Sequence, residues 1–197
     1  MILNSISDFL YKDIENKLLF KSDYLLPSII ICYLLFVTWI GPSLMKNRKP
    51  FNLRTIMVVY NFIEVCLNIY ICIWLFSSMI GYWHARCLPF DDPEYLAIYK
   101  KTLPLWWCAV LNKMFELWDT VFIVLRKKWN QLSGLHIIHH SIVCSISWWF
   151  LRNPSRTGFY FFVILGINIV VHTVLYTYYG LSSIGPHMEK YLWWKNT

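Results

Sequence analysis

The chain has 197 residues, 57% of them hydrophobic, 19% aromatic and only 15% charged, with a formal net charge of +7. That is too apolar for an ordinary soluble domain of this length. The basic excess does not read as a nucleic-acid surface, because it is concentrated in short segments beside apolar runs, where it marks topology.

Met1–Asp23 mixes Asp8, Asp13, Glu15 and Asp23 with three lysines. It lacks the pattern of a removable signal peptide, so 1–24 reads as a far-side N-terminal segment. Five runs are then long enough to span a bilayer, about 17–25 residues each: Leu25–Met45, Thr55–Ile80, Leu103–Leu125, Leu135–Leu151 and Thr157–Tyr179. A further apolar stretch begins at Tyr191–Trp194. Gly41-Pro42 is expected to end the first span and Gly81 the second. Leu88–Pro93 has turn chemistry, and Asn153-Pro154 and Gly180 are expected to close the fourth and fifth spans. The predicted fold is all-α: one polytopic transmembrane helix bundle over 25–197.

Lys46, Arg48, Lys49 and Arg54 lie between spans one and two, and Arg126, Lys127 and Lys128 follow span three. Lys- and Arg-rich short loops stay cytoplasmic. The N-terminus and loop 81–102 are therefore expected on the far side, and so is the loop carrying Arg152 and Arg156, against the rule. Cys32, Cys66, Cys72, Cys108 and Cys144 fall within spans as small apolar residues. Cys87 lies in the far-side loop, either free or paired outside this chain.

Lys113, Glu116 and Asp119 stand in the second half of span three, at i, i+3, i+6. Each such group costs at least about 2.5–3.5 kcal/mol at a helix centre in lipid. Two readings stand: a self-neutralising ion-pair ladder, or the polar wall of a cavity. His136, His139 and His140, at 0, +3 and +4, share about 100° of one helix face, a pattern suited to nucleophile-and-base chemistry or to metal ligands. Six histidines in all supply a di-iron site poorly. Asn168 and His172 stand at i, i+4 with Tyr176 and Tyr179 on the same stripe, and the amide or a phenol could partner the ring. Tyr60, Asn61, Glu64 and Asn68 form a polar stripe on span two that reads equally well as interhelical hydrogen-bonded packing.

Several ordered runs carry a resemblance. They are Gly41-Pro42 through Met45-Lys46-Asn47-Arg48-Lys49-Pro50-Phe51-Asn52-Leu53-Arg54, then Tyr60-Asn61, then Lys113-x-x-Glu116-x-x-Asp119-Thr120. Gln131-x-x-x-Leu135-His136-x-x-His139-His140 and Asn168-x-x-x-His172-x-x-Leu175-Tyr176-x-Tyr178-Tyr179 follow. On these residues, from about residue 25 onward, the chain resembles the ELO family of very-long-chain fatty acid elongases. Gly134, Ile138 and Leu175 depart from the residues usual there.

The resemblance implies a seven-helix fold, of which about five spans are complete here; Trp193-Trp194-Lys195 resembles the entry to the sixth, so the domain is expected to be incomplete at its C-terminus. It also implies a very-long-chain 3-oxoacyl-CoA synthase, an acyltransferase of the endoplasmic reticulum membrane. Long-chain acyl-CoA would condense with malonyl-CoA to give 3-oxoacyl-CoA, CO2 and CoA. The expected route is ping-pong, with His139 as nucleophile and His172 assisting from the facing helix. His136 and His140 would set tautomers and relay protons, Glu116 and Asp119 orient them, and Lys113 stabilises an enolate or counters the acids. Asn168, Tyr176, Tyr179, Gln131, Asn61, Arg48, Lys49 and Arg54 are the expected substrate-binding set. No cofactor or metal is expected. The expected partners are acyl-CoA, malonyl-CoA, membrane lipid, and other elongation-cycle enzymes or a second copy, with no nucleic acid. The alternative is a non-catalytic, truncated paralogue that binds lipid or pairs with full-length elongases.

Overall fold

A computed structural model of the protein describes residues 22–89, 91–153 and 160–192, and among these there are helices and turns but no strand. Most of segment 1–24, the start of the fifth expected span and Trp193–Lys195 lie outside the described residues. The helices are α1 (Leu25–Met45), α2 (Arg54–Gly81), α3 (Pro93–Phe115), α4 (Trp118–Leu125), α5 (Gly134–Arg152) and α6 (Tyr160–Ile184). α2 lies along α6 and beside α3, α5 packs against α3 and α1, and the C-terminal half of α1 rests on α4.

α1, α2 and α6 are long and apolar enough to cross a membrane on composition alone. The third and fourth expected spans fall short because their ionisable residues and histidines dilute them. They are packed among the other three, which is where polar side chains in a bilayer can be satisfied. The outward faces carry Trp39, Phe62, Tyr70, Ile73 and Ile80, each more than half exposed. Large exposed side chains in this number form a lipid-facing surface, and the protein is a multi-pass membrane helix bundle. Hydroxyls along the helices are satisfied internally: Ser141 and Ser145 donate to the carbonyls four residues back at 2.8 and 2.7 Å, as does Thr173 at 2.8 Å.

Gly41-Pro42 does not end α1. Phe36–Ile40 form a π-helical turn in which the Gly41 N–H bonds the Phe36 carbonyl, and α-helix resumes to Met45. The wider turn relieves the crowding a proline ring otherwise causes. A β-carbon on Gly41 would stand 2.7 Å from both the Phe36 carbonyl oxygen and Val124 Cγ1. Glycine is thus what lets α1 lie against α4.

Gly180 does not end α6 either, which continues to Ile184. Its β-position would lie 3.4 Å from Asn61 Cβ, and that of Gly166 3.0 Å from Leu75 Cδ2. Small residues here let α6 close on α2. Gly81 and Asn153 do stand at helix ends, as expected. The loop 81–102 is mostly helical. After the short turn Trp83–Cys87, α3 starts ten residues earlier than expected, with Pro93 in its first turn and Asp92 capping the Glu94 N–H at 2.8 Å.

The third expected span is not one continuous helix. α3 stops at Phe115 and α4 starts at Trp118. Across the junction, Leu117 N–H reaches Met114 O at 3.3 Å and Asp119 N–H reaches Glu116 O at 3.2 Å. These three-residue bonds wind the chain more tightly than an α-helix, so Lys113, Glu116 and Asp119 do not share the arc that i, i+3, i+6 spacing gives. Two apolar clusters flank this junction. One joins α2, α3, α5 and α6 through Ile71, Leu75, Trp106, Leu151, Leu165 and Ile169. The other joins α1, α4 and α5 through Leu26, Ile30, Val37, Val124 and Cys144.

Candidate active site

Ser133 starts the histidine helix by accepting the His136 N–H at 3.1 Å, so His136, His139 and His140 fall on its first two turns. Their rings cluster as the spacing predicts: His136 and His140 centroids are 4.4 Å apart, and His139 and His140 5.6 Å. His172 on α6 joins them, stacked on His139 at 6.0 Å with an interplanar angle of 27°, and edge-on to His140 at 5.9 Å.

Glu116 sits beneath this cluster with 1% exposure. Its Oε1 accepts from Lys113 Nζ at 2.6 Å and Asn112 Nδ2 at 3.1 Å, and its Oε2 lies 3.1 Å from His172 Nδ1. The intrahelical ion pair of the simpler reading therefore exists, and the same carboxylate also grips the histidine across the bundle. The expectation that Asn168 or a phenol partners His172 is corrected: a carboxylate does so, and with Nδ1–H donated to it, Nε2 presents the lone pair. Asn168 instead leaves its Oδ1 buried without a partner among the described residues.

Asp119 leaves the Lys113–Glu116 pair for α6, accepting the Tyr176 hydroxyl at 2.6 Å. Thr120, beside it, accepts the Tyr33 hydroxyl at 2.7 Å and ties α1 to the site. Tyr60 stands edge-on to Tyr176 at 6.1 Å, and its hydroxyl donates to the Phe115 carbonyl at 3.3 Å.

Two cavities open on this network. One, of about 360 Å³, lies between α5 and α6 and is lined by Asp119, His136, His139, His140, His172, Asn168, Tyr176 and Tyr179 together with Ile164, Ile167, Val171 and Leu175. The other, of about 280 Å³, is lined by Tyr60, Asn61, Asp119, His136 and Tyr179 and runs to Arg126 and Gln131 past Met57, Phe122 and Ile123. Asp119, His136 and Tyr179 belong to both. One face of the first cavity is thus aliphatic and the other carries imidazoles, while the second leads to a cation. Among the described residues no three His, Cys, Asp or Glu side chains are arranged to hold one metal ion.

Of the expected site residues, the structure brings together His136, His139, His140, His172, Lys113, Glu116, Asp119, Tyr176, Tyr179, Asn168, Asn61 and Gln131. Arg48 and Lys49 lie on the exposed connection between α1 and α2, away from the cavity linings. Arg54 caps the end of α6: its Nε donates to Ser183 O at 3.1 Å and its other arm to the Ile184 carbonyl. Arg126, expected only as a topology signal, lines the second cavity. Arg126 follows Asp119 by seven residues, two turns along the same face, which was the available clue.

Residues 18–197 match the ELO: GNS1/SUR4 family. The chain is 41% identical over 187 residues to very long chain fatty acid elongase 1 of Mus musculus, covering 92% of this chain and 64% of that protein. It is 41% identical over 193 residues to very long chain fatty acid elongase 4 of Homo sapiens, covering 97% and 59%. With very long chain fatty acid elongase 7 of Rattus norvegicus it shares 40% over 184 residues, covering 92% and 64%. The chain thus spans about three-fifths of the length of these relatives. A match over nearly all of its residues makes this chain a member of the ELO (GNS1/SUR4) family.

Proposed function

We propose that this chain carries the condensing site of a very-long-chain 3-oxoacyl-CoA synthase of the endoplasmic reticulum membrane, joining a long-chain acyl-CoA to malonyl-CoA. The observation that carries the reading is the Lys113–Glu116–His172 chain directed at His139 beside a cavity that is aliphatic on its other face. Elongases among its relatives support the reaction class.

The aliphatic wall receives the acyl chain, and the second cavity, with Arg126 and Gln131 at one end, suits the anionic, hydrogen-bonding remainder of the thioester. His139 is the nucleophile. Its ring makes no hydrogen bond among the described residues, so it is available to attack the thioester carbonyl. The C–S bond breaks, the imidazole proton passes to the departing thiolate, and an acyl-imidazole is left. His172, oriented by Glu116 as a triad base is oriented by its carboxylate, accepts and returns that proton. Malonyl-CoA then loses CO2, and the resulting enolate carbon displaces the imidazole. Lys113 counters the charge of Glu116 beneath the histidines, while Asn168 and Tyr176 on the cavity wall supply hydrogen bonds near the developing enolate. No cofactor enters this scheme.

Incubation with acyl-CoA alone, followed by peptide mass analysis, tests it. The expected result is an acyl group on His139, absent from His139→Ala. An adduct that persists unchanged in His139→Ala overturns the nucleophile assignment, and the lack of any adduct with product still formed favours direct transfer.

A further inference from the structure

Glu64 plays no part in the scheme above. It lies in the apolar middle of α2 at 0% exposure. Its Oε2 accepts from Asn68 Nδ2 at 3.1 Å, while Oε1 is buried with no hydrogen-bond partner among the described residues. The charged and titratable groups facing it are Tyr60 on its own helix, Lys113 and Glu116 at the end of α3, Asp119 on α4 and Tyr176 on α6. Lys113 is already bound to Glu116, and among the described residues no ion pair reaches Glu64. A charged carboxylate with a bare oxygen is heavily penalised in such a place, whereas a protonated carboxyl needs no counter-charge.

We propose that Glu64 holds a proton in the resting protein and is the internal proton donor of this site, acting on the cavity through Tyr60 and Asp119. The inference rests on the condensation reading, because that reaction has a proton deficit. Acylation is balanced: the imidazole proton leaves with the thiolate. In the second half the malonyl carboxylate departs as CO2, the enolate carbon bonds the acyl carbon, and the C–N bond to His139 breaks with its electron pair. One proton must then reach the imidazolate, and no reactant brings it.

The groups for the transfer stand in order. Tyr60 stands one helical turn before Glu64 and lines the second cavity together with Asp119. Asp119 opens on the cavity that holds His139. Glu64 protonates the Tyr60 oxygen as Tyr60 gives its own proton to Asp119, which delivers it to the histidine side. The hydroxyl proton need only rotate away from the Phe115 carbonyl that it meets at 3.3 Å. Glu64 is recharged through the second cavity, which Tyr60 and Asp119 line and which runs to the exposed Gln131.

Infrared spectroscopy of the full chain in lipid nanodiscs, in H2O and D2O without substrate, tests the resting state independently of turnover. The expected result is a protonated-carboxyl stretch at neutral pH that shifts in D2O, vanishes in Glu64→Gln and persists in Asp119→Asn. No such band, or a band that survives Glu64→Gln, overturns the proposal. Should Glu64→Gln not fold, Tyr60→Phe serves: the band must move as its neighbour changes, and an unmoved band breaks the link to Asp119. In turnover, Glu64→Gln is expected to lower the malonyl-dependent half about 100-fold while leaving acyl-histidine formation intact; equal loss in both halves overturns the donor role. A chain that shows the band but forms no 3-oxoacyl product from acyl-CoA and malonyl-CoA refutes the condensation reading and leaves Glu64 protonated.

Discussion

Lys113 and Glu116 are 2% and 1% exposed and 2.6 Å apart, in a place where neither charge can reach water. Removing one partner strands the other, which costs about 3–5 kcal/mol. Lys113→Met is therefore expected to destabilise the protein by about that amount in thermal unfolding, and adding Glu116→Gln should recover a large part of the loss. Glu116→Gln alone preserves shape but removes the anion that fixes His172 Nδ1. On the condensation proposed above, the expected outcome is a fall of about 100-fold or more in acyl transfer with little change in the acyl-CoA concentration dependence, read by single-turnover kinetics. The sequence made these residues visible, because ionisable side chains in hydrocarbon must be accounted for. It did not reveal that one carboxylate serves both the lysine and the histidine. That sharing depends on where α6 lies against the α3–α4 junction, a packing outcome that no spacing encodes.

Helix boundaries show the same division. Spans one, four and the end of span two were legible from apolar runs and terminal residues. Gly41 and Gly180 were misread as stops because a glycine that ends a helix and one that admits a neighbouring helix are indistinguishable along a single chain. The contacts separate them, and they predict opposite responses to one added methyl. At Gly41 the new β-carbon meets a backbone oxygen and Val124 Cγ1 at 2.7 Å, so Gly41→Ala is expected to lose about 1–3 kcal/mol. At Gly81 nothing lies within 4 Å, and Gly81→Ala should be neutral or gain up to about 1 kcal/mol. Parallel thermal melts in detergent micelles check the pair. A Gly41→Ala protein as stable as the parent removes the case for close α1–α4 contact. The tight turn at Glu116–Leu117 had no glycine or proline to announce it.

Across the whole molecule, charge and contact agree on two ends. At one, Lys127 Nζ donates to the Lys46 and Arg48 carbonyls at 3.3 and 3.0 Å, the Phe51 N–H reaches Leu125 O at 3.1 Å, and Arg54 holds the end of α6. These contacts gather both basic segments into one cationic rim. At the other, Arg152 pairs with Asp23, so this member of the exception to the charge rule is neutralised where it stands; Arg156 lies outside the described residues. Cys87, exposed on the connection between α2 and α3, lies at the same end as Asp23. A rim of like charge holds its side of the membrane, so Cys87 should face the far side while Lys128 faces the cytosol. Single-cysteine proteins, one retaining only Cys87 and one carrying Lys128→Cys, can be compared in sealed vesicles with the cytosolic face outward. An impermeant maleimide is expected to label the Lys128→Cys protein at once and Cys87 only after the vesicles are opened. Immediate labelling of Cys87 with protection of the Lys128 position would invert the bundle. The Arg126 end of the second cavity, which lies on the cationic rim, would then face away from the cytosol.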